Sequence, residues 1–322
     1  MPVRPSSYTA PTGLDGGHRQ TLYASLLRRV DFEYDDRERV ETPDNDFLDL
    51  DWARPRAASS DRVVVLTHGL EGSAGRGYMR GMARAFVRRG WDACALNLRG
   101  CSGTPNRQVA TYHSGKTDDL ALVVDHVLDR GYTSVALLGF SLGGNLTLKY
   151  LGERGAQVDD RIQGAVALSV PVDLDASADR IDRWSNWHYV RYFLRSLRQK
   201  MRVKAEQHPT RVSAIPLGRI HSLREFDDAY TAPLHGFDGA ADYYRRASSK
   251  PSLSALNVPT LLVNAANDPF LPPSCYPYSI ARPHDRLTLE VPDSGGHVGF
   301  VSFNDAGEYW SERRAASFLS PS

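Results

Sequence analysis

The stretch Ser134-Val-Ala-Leu-Leu-Gly-Phe-Ser-Leu-Gly-Gly-Asn145 decides how the rest of the chain is read. Its first half is a nearly continuous apolar run, the texture of a strand covered on both faces. Its second half contains Gly139-Phe-Ser-Leu-Gly143, a G-x-S-x-G pattern that leads into helical spacing over residues 142–151. A serine on a tight strand-to-helix turn projects its hydroxyl above the carboxyl edge of a sheet. The two glycines keep side chains out of the way where such a turn closes on its neighbours. The helix N-terminus adds partial positive charge beside the hydroxyl. Ser141 is therefore a candidate nucleophile, set against the plainer reading of a serine that caps a helix.

The same texture recurs outward from this turn. Residues 62–67, 92–97, 164–169 and 259–264 are apolar runs ending in small or polar residues, and 286–291 is a further strand candidate. Residues 78–89, 117–130 and 308–319 carry helical periodicity. Strand, helix, strand in succession implies parallel βαβ units, an α/β sheet with helices on both faces. Nearer the start, 29–35, 38–42 and 47–52 alternate with period two, as antiparallel strands wet on one face do. The strand signal stops between 174 and 251, where Trp184, Trp187, Tyr189, Tyr192 and Phe193 cluster among arginines and helices are predicted. The expected organisation is one discontinuous domain, residues 1–173 and 252–322, with a helical cap inserted at 174–251.

A serine at its ordinary pKa needs a base to take its proton, and the base needs an acid to orient it. Both are expected at the ends of later strands. Asp268 lies in Asn264-Ala-Ala-Asn-Asp-Pro-Phe-Leu-Pro272, and His297 lies in Ser294-Gly-Gly-His-Val-Gly-Phe300. Their plainer readings are a turn-forming aspartate, with Asp293 as competitor, and an ordinary loop histidine. A tetrahedral oxyanion needs two donors. The candidates are the amide of Leu142 and that of Leu70 in Thr67-His-Gly-Leu-Glu-Gly72, where His-Gly also reads as a simple turn pair.

Other patterns are discounted. Ala110-Thr-Tyr-His-Ser-Gly-Lys-Thr117 resembles a phosphate-binding loop, but its first glycine is replaced by Ala110 and no apolar strand precedes it. His113 and Asp118 make an H-x-x-x-x-D pair of a kind that chance supplies. The histidines have no metal-ligand spacing, and no metal or organic cofactor is implied. With 39 basic and 38 acidic residues among 322, the net charge is +1, which gives no global field for nucleic acid or an anionic membrane. Three cysteines, no stretch of ~20 apolar residues and no secretory leader pattern fit a cytoplasmic protein. Val190, Phe193, Leu194, Leu197 and Met201 fall at helical spacing opposite Arg191, Arg195, Arg198 and Arg202. That face could touch lipid, but packing of the apolar side against the sheet domain is the favoured reading.

Longer words along the chain carry a family likeness. Gly17-His-Arg-Gln-Thr-Leu22, Thr67-His-Gly-Leu-Glu-Gly-Ser73, Asn97-Leu-Arg-Gly-Cys-Ser-Gly103 and Tyr112-His-Ser-Gly-Lys-Thr-Asp-Asp-Leu120 are characteristic, as are Gly139 to Asn145 and Arg224-Glu-Phe-Asp-Asp228 with Tyr243-Tyr244. With these words the chain resembles the YheT-type α/β-hydrolases, relatives of the eukaryotic ABHD hydrolases and of fungal medium-chain alcohol acyltransferases. The resemblance implies an α/β-hydrolase fold, with a mostly parallel eight-stranded sheet and a helical cap after the sixth strand. It also implies Ser141, Asp268 and His297 as a triad, and carboxylic-ester hydrolysis or acyl transfer. Departures are Ala74-Gly-Arg-Gly77 before Tyr78 and Asn267, where relatives usually have a second aspartate. The membrane anchor that many eukaryotic relatives carry is not expected here. The residues together point to a serine esterase taking a small-molecule ester, with an apolar acyl group suggested by the cap aromatics. The alternatives are acyl transfer to an alcohol and a non-catalytic binding protein on the same scaffold.

Overall fold

The computed structural model describes residues 2–56, 60–212 and 217–320. Of the insertion expected at 174–251, residues 213–216 lie outside the described residues. Nine strands form one sheet among the described residues: β1 (Val3–Arg4), β2 (Asp36–Glu41), β3 (Phe47–Ala53), β4 (Arg62–Thr67), β5 (Asp92–Asn97), β6 (Ser134–Phe140), β7 (Ile162–Leu168), β8 (Thr260–Val263) and β9 (Leu287–Glu290). Their spatial order is β1-β9-β8-β7-β6-β4-β5-β3-β2, parallel except that β3 runs antiparallel to both β2 and β5. The helices are α1 (Gly17–Leu26), α2 (Gly77–Val87), α3 (Thr117–Asp129) and α4 (Leu142–Arg154). Between β7 and β8 come α5 (Leu174–Ile181), α6 (Trp187–Gln207), α7 (Leu223–Phe226), α8 (Ala232–Leu234) and α9 (Ala240–Ala247), followed later by α10 (Tyr278–Ala281) and α11 (Trp310–Leu319).

Two expectations are corrected. The sheet has nine strands, not eight, because residues 3–4 add to the β9 edge through Val3 opposite Leu289, a ladder too short to leave a period in the sequence. Residues 29–35 do not form a strand. Their alternation is real, since Phe32 and Tyr34 lean on the apolar layer under α2. A strand needs a ladder, however, and only the bond from the Asp35 amide to the Trp52 carbonyl, 2.7 Å, is made.

The central strands are apolar on both sides because both sides are covered. Val63 and Val65 join Leu137, Leu262 and the α3 and α4 residues Leu120, Val123 and Leu146 in one layer. Val64 and Leu66 join Leu138, Leu261 and the α2 and α11 residues Met82, Phe86 and Trp310 in the other. The exposed edge β2 is charged, with Arg37 and Arg39 gripping Asp51 and Asp49 of β3 through paired hydrogen bonds. A charged edge discourages pairing with a second sheet.

The helices between β7 and β8 stand on the carboxyl side of the sheet and carry two small cores of their own. In one, Val190, Leu194 and Met201 of α6 meet Leu223 and Phe226 of α7; in the other, Leu174 and Ala178 of α5 meet Tyr243 and Tyr244 of α9. The apolar stripe of α6 is thus spent on protein contacts, leaving Arg191, Arg195 and Arg202 in water. No helix among the described residues is long and apolar enough to cross a membrane.

Candidate active site

Ser141 sits between β6 and α4 at φ +52°, a left-handed backbone that a residue with a side chain adopts at a cost of about 1–3 kcal/mol. The turn is held from both sides. The Ser141 amide donates to Leu168 O on β7 at 2.8 Å, and its carbonyl accepts from Asn145 at 3.0 Å. A Cβ at Gly139 would lie 2.2 Å from the Gly143 carbonyl oxygen, and one at Gly143 would lie 2.3 Å from that of Thr67. Only glycine permits this approach. The Ser141 hydroxyl makes no capping bond to α4, so the plainer reading of this serine fails.

The hydroxyl instead meets His297, whose Nε2 lies 2.8 Å from Ser141 Oγ. On the other side of the ring, Nδ1 lies 2.8 Å from Asp268 Oδ2. The remaining oxygen, Asp268 Oδ1, accepts from the Phe270 amide at 2.8 Å, so the buried carboxylate is oriented by its own turn. Asp293 is exposed and takes no part. The histidine loop is contorted, with Gly295, Gly296, Val298 and Phe300 all at positive φ. Thr21 Oγ1 accepts from the His297 amide and Ser169 Oγ accepts from that of Val298, both at 2.9 Å. Asn267 ties three segments, accepting from the Gly296 amide at 3.0 Å and donating to the Asp15 carbonyl at 2.7 Å. The Phe270 ring covers one side of the imidazole, 4.4 Å between centroids.

Leu142 is the first residue of α4, so its amide lacks a partner within the helix. Leu70 is in the turn closed by the bond from the Gly72 amide to the Gly69 carbonyl, 3.0 Å, beside the same cavity as Ser141. That turn is braced on both sides of Leu70. His68 is fully buried; its Nδ1 donates to the Gly69 carbonyl at 2.8 Å and its Nε2 accepts from the Leu98 amide at 3.1 Å. Burial holds this imidazole down at about 4, so it stays neutral near pH 7. Tyr78 OH accepts from the Gly69 amide, and Tyr112 OH accepts from the Glu71 amide. Glu71, itself at φ +52°, buries its carboxylate against Lys200 Nζ of α6 at 2.7 Å, Tyr112 OH at 2.7 Å and Ser196 Oγ. Burial alone would raise this carboxyl, but the Lys200 ammonium and the hydrogen bonds bring it net below its ordinary value. Lys200 is raised in turn, so both partners are charged.

A cavity of about 850 Å³, including its open mouth, runs from Ser141, Leu142 and Leu70 under α5, α6 and α7. Leu174, Ala178, Ile181, Leu197, Leu223 and Phe226 give it an apolar wall. Asp227, in a π-helical turn, lines it too. Its carboxylate accepts from Tyr244 OH at 2.7 Å and Thr231 Oγ1 at 2.6 Å, and burial pushes it up to about 6. Of the aromatics between 174 and 251, Phe226, Tyr243 and Tyr244 line the cavity, whereas Trp184 and Trp187 are exposed and do not. The discounted patterns are not assembled into sites. Asp118 points to solvent beside Lys116 while His113 is half-buried on the cavity wall. The amides that would hold a phosphate are already used, Ser114 N on Tyr243 OH and Gly115 N on His113 Nδ1. No group of three His, Cys, Asp or Glu side chains among the described residues is placed to hold a metal ion.

The profile of the alpha/beta hydrolase fold family matches residues 62–303. The chain belongs to that family. Within it, the chain is 34% identical to "Putative esterase YheT" of Escherichia coli, over 95% of this chain and 91% of that protein. It is 28% identical to "Phospholipase ABHD3" of Homo sapiens, over 93% and 75%. Against "Monoacylglycerol lipase" of Saccharomyces cerevisiae it is 28% identical, over 86% and 62%. In fold it is similar to the Pyrococcus furiosus esterase Pf2001, with TM-score 0.59 and 18% identity over 89% and 91% of the two chains. The family word Gly17-His-Arg-Gln-Thr-Leu22 marks residues that motif reasoning left without a role. Gln20 Oε1 accepts from Tyr8 OH and the Val301 amide, and Thr21 holds His297. Ser169, Asn267 and the Glu71–Lys200 pair were also unassigned. The word Thr67 to Ser73 contained Glu71, but nothing in it names a partner on α6.

Proposed function

We propose that this protein is a serine carboxylic-ester hydrolase working through an acyl-enzyme on Ser141, with residues 174–251 as a cap over the acyl pocket. The observation that carries this is the unbroken relay from Ser141 Oγ through His297 to Asp268, with both links at 2.8 Å. His297 takes the Ser141 proton as the hydroxyl attacks the ester carbonyl. Asp268 keeps Nδ1 protonated and stabilises the imidazolium. The amides of Leu70 and Leu142 receive the oxyanion, each such donor contributing about 10²–10³ in rate. His297 then protonates the departing alcohol, and a water activated by the same ring frees the acid and restores the serine. The apolar wall supports an apolar acyl group on a small-molecule ester. The relatives named as esterase, phospholipase and lipase agree with ester chemistry.

Labelling by a serine-directed fluorophosphonate tests the reading. Native protein is expected to label at Ser141, and Ser141→Ala to lose both labelling and at least about 10⁴-fold in kcat on p-nitrophenyl butyrate. Equal labelling of the two proteins would sink it. Adding a short alcohol during turnover separates hydrolysis from acyl transfer by the share of new ester formed.

A further inference from the structure

Among the described residues the exposed large apolar side chains are Leu22, Leu26, Leu27, Trp184, Trp187, Tyr192, Tyr278 and Phe303. All but Tyr278 belong to one face, built by α1 and the start of α6. Phe303 meets Tyr23 of α1, while His18 of α1 packs on His188 and Tyr189 of α6. Farther along, Tyr192 meets Arg76, whose neighbour Gly77 faces the Arg28 carbonyl just past the end of α1. Trp184 is 85% exposed and stacks on Trp187 at 6.3 Å. The same two helices flank His297: Thr21 holds its amide, and Tyr189 packs on the Phe270 ring that covers its imidazole.

Beside this apolar ring lies a one-signed strip. From 183 to 205 there is no aspartate or glutamate, while Arg183, Arg191, Arg195, Arg198 and Arg202 share the segment with Lys200 and Lys204. Trp184 and Trp187 line one groove with Arg191, Arg195, Arg198 and Arg202, in which Asp182 is the acid. Arg191 and Arg195 have no hydrogen bond or ion pair among the described residues, unlike Arg198, which donates to the Ile220 carbonyl. Indoles, apolar with one polar N–H, suit the bilayer headgroup layer, and guanidinium suits phosphodiesters.

We propose that this face docks the protein on an anionic phospholipid surface, Trp184 and Trp187 entering the headgroup layer while Arg191 and Arg195 pair with lipid phosphates. The contact is made by the solvent side of α6, since its apolar stripe is buried. The two helices that carry this face also touch the His297 amide and the Phe270 ring, so docking would set the membrane beside that histidine. The proposal does not depend on ester hydrolysis, because binding is read separately from turnover.

Sedimentation of the full chain with phosphatidylcholine vesicles, with and without phosphatidylglycerol, tests it. Binding is expected only with phosphatidylglycerol, and weaker at high salt. The pair Arg191→Gln with Arg195→Gln should bind about 30-fold less, the effect of two charges near the surface at about 1 kcal/mol each. The pair Trp184→Ser with Trp187→Ser should lose binding too. Both are expected to keep native melting and native hydrolysis of a water-soluble short-chain ester. Equal sedimentation with both vesicle types, or native binding by either double variant, overturns the proposal. So does tighter binding to single-stranded RNA than to vesicles, or a dimer that the tryptophan variant dissolves, which would give the face to a second copy.

Discussion

His68 illustrates how a residue beside the chemistry sets conditions for it. The buried ring has its pKa held at about 4, whereas the unfolded chain takes the proton near 6.5. Between those values the unfolded state binds more protons, so stability present above pH 6.5 is lost as pH falls through 4, on the order of 3 kcal/mol in all. Urea unfolding midpoints from pH 7 to 4 should fall steeply for the native chain, and less for His68→Asn. An unchanged slope would mean that the ring is protonated in the folded state. Thr21→Val keeps the shape but leaves the His297 amide without its acceptor. It should cost about 1–3 kcal/mol in stability and lower kcat more than it changes KM. That Ser141, Asp268 and His297 come together was legible in the sequence, because each stands just past the end of a strand on the same edge of the sheet. Thr21 was not, since its bond to His297 spans 276 positions and obeys no spacing rule.

Among elements, α6 and the turn carrying Leu70 are joined by the Glu71–Lys200 pair. Removing only the ammonium, as in Lys200→Met, leaves a carboxylate buried without its counter-charge and should cost on the order of 3 kcal/mol. Lys200→Met with Glu71→Gln together should recover much of that, a coupling readable from urea unfolding of the four proteins in a double-mutant cycle. The single change should also reduce kcat, because the Leu70 amide is aimed by that turn; additive losses would show that the two groups act independently. Strands β4 to β9 and helices α2, α3, α4 and α11 follow visible periods, because their core faces are apolar. Helix α1 was missed for the opposite reason: what it buries is Gln20 and Thr21, so it has no apolar stripe. β1 is two residues long and has no period to read.

At the scale of the molecule, the cavity runs between the sheet and the helices above it, so its depth belongs to neither layer alone. Ala178 of α5 lines that cavity and is almost fully buried. Ala178→Phe should shift the acyl preference toward shorter chains. Each methylene excluded costs about 0.8 kcal/mol, a factor of about four in kcat/KM, measured across p-nitrophenyl esters of graded length. An unchanged profile would place the acyl chain elsewhere. The alternation of strands and helices from β4 onward was legible from texture alone; the cavity was not, because it is made by contacts such as Tyr243 on Ser114 between segments far apart in sequence. The pairing of Val3 with Leu289, together with the Thr21 bond to His297, carries a consequence for synthesis. A ribosome delivers residues 3–26 long before the strand and loop they lock onto, so they must wait unpaired while some 260 residues emerge. Hydrolytic activity should therefore appear only at the end of translation, as a signal that the whole chain has closed.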